Sequence, residues 1–143
     1  MITGDQLITV ETTVNASAKD VWHFWTMPEH IIQWHVASDD WHTPRAENDL
    51  TEGGKFLYRM EAKNGEFGFD YWGSYDAVNK YESIVSTLGD GRKVSVSFEP
   101  VEGGTKVTEV FVPDKEFSLE QQRLGWQAML DNFKAYAETQ TVR

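Results

Sequence analysis

The densest run of chemically able side chains is Asp39-Asp40-Trp41-His42-Thr43-Pro44-Arg45-Ala46-Glu47-Asn48-Asp49, with His35 just upstream. His35 or His42, oriented by Asp40 or Glu47, would serve as a general base, because imidazole titrates near working pH. Such a base suits enolisation or aldol-type cyclisation, where proton transfer is most of the work. Asp39, Asp40, His42 and His35 are also the donor types of zinc or manganese sites. Their spacing matches no established metal motif, and nothing like His-Glu-x-x-His occurs, so neither a metal nor another cofactor is expected. A solvated loop with local side-chain-to-backbone hydrogen bonds is the plainer account of its Ser, Asp and Asn residues. Arg45 and Arg59 are candidate polar anchors for a ligand carboxylate through bidentate contacts. The alternative for each is an ion pair with Glu47 or Glu61. Ser38 and Ser74 lie in no nucleophile-elbow context, and no glycine-rich phosphate loop precedes a helix.

The elements that must position these groups end in a long helix, predicted over residues 118–138. Leu119, Gln122, Trp126, Met129, Phe133 and Tyr136 recur there at steps of three and four, forming one stripe. Ser118 and Gln121 open it as a capping box. Upstream, residues 7–14 alternate as a strand. Ser17 caps a short helix through Val21, Trp22 and Trp25, and Pro28 sits in the first turn of a second that carries Ile31, Ile32 and Trp34. A meander follows, with strands predicted at 42–50, 54–62, 67–78, 81–88, 92–99 and 105–112, separated by the turn signals Gly53-Gly54, Asn64-Gly65, Asp90-Gly91 and Gly103-Gly104. The order is α+β with a largely antiparallel sheet. Strand parity puts Phe56, Tyr58 and Met60 on one face, joined by Phe67, Phe69, Tyr71, Gly73 and Tyr75, and by Val94, Val96 and Phe98. These sets are expected to face the terminal helix.

Composition narrows the partners. The 143-residue chain has room for one domain with a substantial core. Its net charge is −10 and its basic residues are scattered, which argues against nucleic acid and anionic membrane. There is no cysteine, and residues 1–6 offer neither a basic region nor an apolar run, so a cytoplasmic protein is expected. Six tryptophans, eight phenylalanines and five tyrosines are many for this length. They either fill the core or line a pocket. A dry, empty pocket of roughly 300 Å³ would cost about 7 kcal/mol, against a total stability of about 5–15 kcal/mol. Any such space is therefore filled by side chains, wet, or occupied.

Several motifs resemble the START-like (helix-grip, SRPBCC) superfamily. They are Val21-Trp22-His23-Phe24-Trp25-Thr26-Met27-Pro28-Glu29-His30, Trp34, Ser38-Asp39-Asp40-Trp41-His42 through Asp49-Leu50, Gly53-Gly54-Lys55-Phe56, and Gly125-Trp126-Gln127-Ala128-Met129-Leu130-Asp131-Asn132-Phe133. Within that superfamily the chain is similar to bacterial single-domain members related to the C-terminal domain of the heat-shock-protein-90 ATPase activator. The resemblance implies a seven-stranded curved antiparallel sheet gripping a long C-terminal helix, with two short helices after the first strand. It also implies a cavity for a small hydrophobic or amphipathic molecule, though no universal catalytic set. Trp25, Trp34, Phe56, Tyr58, Met60, Phe69, Tyr71, Trp126, Met129 and Phe133 are the expected lining. Alternatives are an enzyme of polyketide cyclase or hydrolase type using a pocket His or acid, and a chaperone-associated interaction module with an exposed apolar patch, at which Leu124 and Trp72 hint. Either a monomer or a homodimer is compatible with the sequence.

Overall fold

A computed structural model describes residues 7–140; residues 1–6, read above for a leader, lie outside the described residues. Strand β1 (Ile8–Val14) leads into helices α1 (Ala18–Thr26) and α2 (Pro28–Trp34). Six further strands follow: β2 (Trp41–Asn48), β3 (Lys55–Ala62), β4 (Gly68–Asn79), β5 (Ser83–Leu88), β6 (Lys93–Val101) and β7 (Gly104–Phe111). Helix α3 (Leu119–Gln140) is the last element of the described residues. All seven strands form one antiparallel, curled sheet in the order β1-β7-β6-β5-β4-β3-β2, so the first strand closes against the last. This is the expected helix-grip arrangement, and the predicted strands lie within a few residues of the observed ones.

Local chemistry explains the boundaries. Ser17 Oγ accepts the Asp20 N–H at 3.1 Å, and Ser118 Oγ accepts the Gln121 N–H at 3.0 Å, so each serine caps its helix. Gln122, rather than Gln121, completes the second start: its side chain accepts the Asp114 N–H at 2.7 Å and donates to the Asp114 carbonyl at 2.8 Å. Pro28 stands at the start of α2, where its missing N–H is harmless. Gly104, at φ 139°, lies so close to the end of β1 that a Cβ there would fall 2.0 Å from the Val14 carbonyl oxygen. That position holds β7 against β1.

The inner face carries Phe56, Tyr58, Met60, Val94, Val96 and Phe98, all buried as their parity predicts. Two expectations need correction at the start of β4. Phe67 is 69% exposed and Phe69 49% exposed, because this end of the sheet extends past the cover of α3. The helix stripe shifts in the same way. Leu130, Phe133 and Ala137 are fully buried, whereas Leu119 is exposed, so the first turns of α3 project beyond the sheet. That overhang leaves a gap between the start of α3 and the curl of the sheet.

Candidate functional site

The gap is a cavity of about 260 Å³, partly open to solvent, whose lining includes the exposed Phe69. Met60, Phe69 and Tyr71 contribute its sheet wall, Trp25 and Trp34 its floor, and Gly125, Trp126 and Met129 its helical wall. Besides the Tyr71 hydroxyl, two titratable side chains of the described residues bring polar chemistry to it: His35 and Glu109. A smaller space of about 60 Å³ adjoins it, bounded by Phe56, Tyr58, Tyr75 and Ser86 and sharing Tyr71 and Glu109 with the larger one.

Aromatic packing fixes the walls. Trp25 sits 4.9 Å from both Trp34 and Phe133, ring centroid to centroid, and 5.9 Å from Phe98. Trp126 lies flat on Phe111, centroids 3.8 Å apart and planes 12° apart. The floor is tied to the helix by polar bonds: Trp34 Nε1 donates to the Phe24 carbonyl at 2.9 Å, and Asn132 Nδ2 donates to the Trp34 carbonyl at 2.8 Å. Gly125 is the unusual member of the helical wall. A Cβ built there meets nothing within 4 Å, so the glycine leaves space open at a mid-helix position.

His35 terminates α2, its N–H donating to the Ile31 carbonyl at 3.0 Å while its own carbonyl accepts the Thr43 hydroxyl at 2.7 Å. Its ring is wedged among Tyr58, Tyr71 and Trp34, with centroids 4.8–5.4 Å away. Burial strips the imidazolium of its hydration and lowers the pKa to about 4. The ring is therefore neutral at pH 7.

Glu109 belongs to the inward set of β7, with Thr105, Val107 and Phe111, and pairs across to Val10 and Val96. Only 8% exposed, its carboxyl has no hydrogen-bond or ion-pair partner among the described residues. Burial raises its pKa to about 8. Tyr71 is pushed up as well, first by burial and then by the nearby Glu109. Tyr58 and Tyr75 are raised in the same direction, chiefly by burial, and Tyr75 donates its hydroxyl to Asn48 Oδ1. At neutral pH the cavity thus presents a neutral base, a protonated acid and neutral phenols.

Of the residues expected to line a pocket, Trp25, Trp34, Met60, Phe69, Tyr71, Trp126 and Met129 surround the larger space. Phe56 and Tyr58 border the smaller one, and Phe133 lies beneath the Trp25–Trp34 floor in the core. The polar expectations divide. His35 reaches the cavity, but His42 does not: it is on the outer face, 3.8 Å from Glu61. Arg45 pairs with Glu47 at 3.4 Å, and Arg59 with Glu61 at 3.0 Å and Asp70 at 3.4 Å, all on the outer face. Neither arginine can anchor a ligand inside. Asp39 and Asp40 are exposed, and no three His, Asp or Glu side chains converge among the described residues. Glu109 belongs to no sequence motif, although its place in the Thr105, Val107, Glu109, Phe111 alternation marks an acid turned inward. No helix of the described residues is long and apolar enough to cross a membrane.

Comparison with known proteins agrees with this architecture. The profile of the family described as Activator of Hsp90 ATPase homolog 1-like protein matches residues 15–138. The solution structure of an AHSA1-like protein from Aeromonas hydrophila is 39% identical, covers 94% of this chain and 93% of its own, and superposes with a TM-score of 0.89. A protein from Cytophaga hutchinsonii is 45% identical over 92% of each chain, with a TM-score of 0.81. One from Nitrosomonas europaea, 17% identical over 99% of each chain at a TM-score of 0.85, shares the fold. No curated protein matches the chain.

Proposed function

This chain belongs to the Activator of Hsp90 ATPase homolog 1-like family, and on that footing we propose that it binds a small hydrophobic or amphipathic molecule between sheet and helix. The observation that carries this reading is the cavity itself. About 260 Å³ bounded mainly by aromatic side chains stands partly open to solvent, and poorly held water against such walls is favourably displaced by an apolar group. Gly125, which costs the helix about 1 kcal/mol relative to alanine, leaves that space open rather than filling it. The absence of cysteine suits a reducing compartment, and we read the protein as cytoplasmic.

Native mass spectrometry of freshly purified protein, followed by denaturation, tests the binding reading. A released molecule of a size that fits the cavity supports it. A clean apo mass, unchanged by a panel of small aromatic compounds, would count against it.

Cyclase- or hydrolase-type chemistry is a second reading, favoured by one observation: His35 and Glu109 supply an unprotonated base and a protonated acid to one apolar space. It predicts turnover with a bell-shaped pH profile bounded near 4 and 8.

A further inference from the structure

Among the described residues, the cavity is lined by one acidic side chain and by no basic one able to hold charge at neutral pH. Arg45 and Arg59 are committed to carboxylates outside, Arg92, whose charge is felt at Tyr71, is paired with Asp90 at 2.7 Å, and His35 is neutral. A ligand carboxylate would find no counter-ion here, and it would meet Glu109. Glu109, in contrast, is buried, makes no hydrogen bond or ion pair among the described residues, and is shared by both spaces. Aromatic side chains surround the same volume: Trp25, Trp34, Trp126, Phe69 and Tyr71. Ring faces attract cations through their quadrupoles, and more strongly where water is excluded. An acid without a partner inside an aromatic box is complementary to one kind of charge.

We propose that the ligand is an organic cation, an apolar body carrying an amine, with Glu109 as the counter-ion of its ammonium group. This rests on the cavity-binding reading above and narrows it to a chemical class. Burial of Glu109 against Val10 and Val96 explains why the site is built to wait. Without a cation the acid stays protonated and costs little. An arriving ammonium displaces that proton into solvent and forms a charge-assisted pair in a low dielectric. The titratable groups that share the two spaces with Glu109 are His35 from the end of α2, Tyr58 from β3, and Tyr71 and Tyr75 from β4. Met129 and Trp126 face the larger space from α3, and Ser86 the smaller from β5. None of these competes as a cation or an anion between pH 6 and 9.

Three matched probes test the inference: 4-phenylbutylamine, 4-phenylbutan-1-ol and 4-phenylbutyrate, titrated calorimetrically at pH 6, 7 and 8.5. The amine is expected to bind at least tenfold tighter than the alcohol at pH 8.5, and the butyrate weakest. Amine affinity should climb between pH 6 and 8.5 while alcohol affinity stays flat. Glu109→Gln should erase the preference for amine and spare the alcohol. Should that variant fail to fold, wild-type titrations in buffers of different ionisation enthalpy give an independent readout: about one proton released per amine bound at pH 7. Alcohol binding without an amine preference, or amine binding without proton release, overturns the cation inference and leaves the cavity reading standing. Failure of all three probes to bind overturns both.

Discussion

The Nδ1 of His35 lies 3.3 Å from the sulfur of Met60. A thioether accepts hydrogen bonds and donates none, so Nδ1 carries the proton and Nε2 is left as the basic nitrogen. The Thr43 hydroxyl, 3.2 Å from the same sulfur and donating to the His35 carbonyl, holds the pair in place. His35 thereby keeps a defined tautomer in a buried site, and the loss of hydration there opposes its protonation.

That opposition gives a first prediction, on stability against pH. His35 has a folded pKa near 4, below its unfolded value. The unfolded chain therefore binds its proton first, and stability is lost as pH falls from about 6.5 to 4, by about 3 kcal/mol at most. Glu109 has the opposite sign. Its folded pKa near 8 exceeds the unfolded value, so stability is full below about 4.5 and lost as pH rises to 8, by at most about 5 kcal/mol. The two slopes cancel between about pH 4.5 and 6.5, where these groups place the optimum. Urea unfolding at pH 5.5, 7 and 8.5 should show falling stability in the wild type and a flat alkaline limb in Glu109→Gln. An unchanged slope in the variant would rule out Glu109 as its source.

Gly125→Ala should stabilise the protein by about 0.5–1 kcal/mol, since the helix gains propensity and the new methyl meets open space. Thermal unfolding reads this directly. A loss of stability would mean the space beside Gly125 is closed in solution.

Trp126→Ala removes the ring stacked on Phe111 and opens the helical wall. Because Trp126 is only half-buried, the cost should fall at the low end of the about 3–5 kcal/mol typical of buried aromatic truncations. Ligand affinity should drop in the folded variant, measured where both proteins remain native. Unchanged affinity would remove Trp126 from the wall.

His42→Gln, Arg45→Ala and Arg59→Ala should leave ligand affinity unchanged, because all three side chains pair with acids on the outer face. A severalfold weakening by any of them, measured by the same titration, would contradict that placement.

Much of the scaffold was legible because period and punctuation are local. Ser17, Pro28, Ser118 and the glycine turns mark their boundaries in the chain itself, and alternation assigns Phe56, Tyr58 and Met60 to the inner face. The site was harder because it depends on where α3 ends relative to the sheet. Periodicity puts Leu119 and Phe133 on one stripe, yet only the docked helix shows that the first overhangs and the second is buried. His42 and His35 looked alike as imidazoles in a polar stretch. The end of α2 turns His35 inward, and the β2 pleat turns His42 out. Glu109 was readable from the parity of β7, but its lack of a partner is a property of the assembled interior.

Trp25, Trp34 and Trp126 on the walls of the space beside Gly125 make ligand entry self-reporting. The most direct measurement is a tryptophan-fluorescence titration of 4-phenylbutan-1-ol into the wild type and into Gly125→Leu, whose side chain would occupy the cavity. A cavity that takes a ligand gives a saturable one-to-one change in the wild type that is lost in a folded Gly125→Leu. No saturable change in the wild type, or equal binding by both proteins, would contradict ligand binding there.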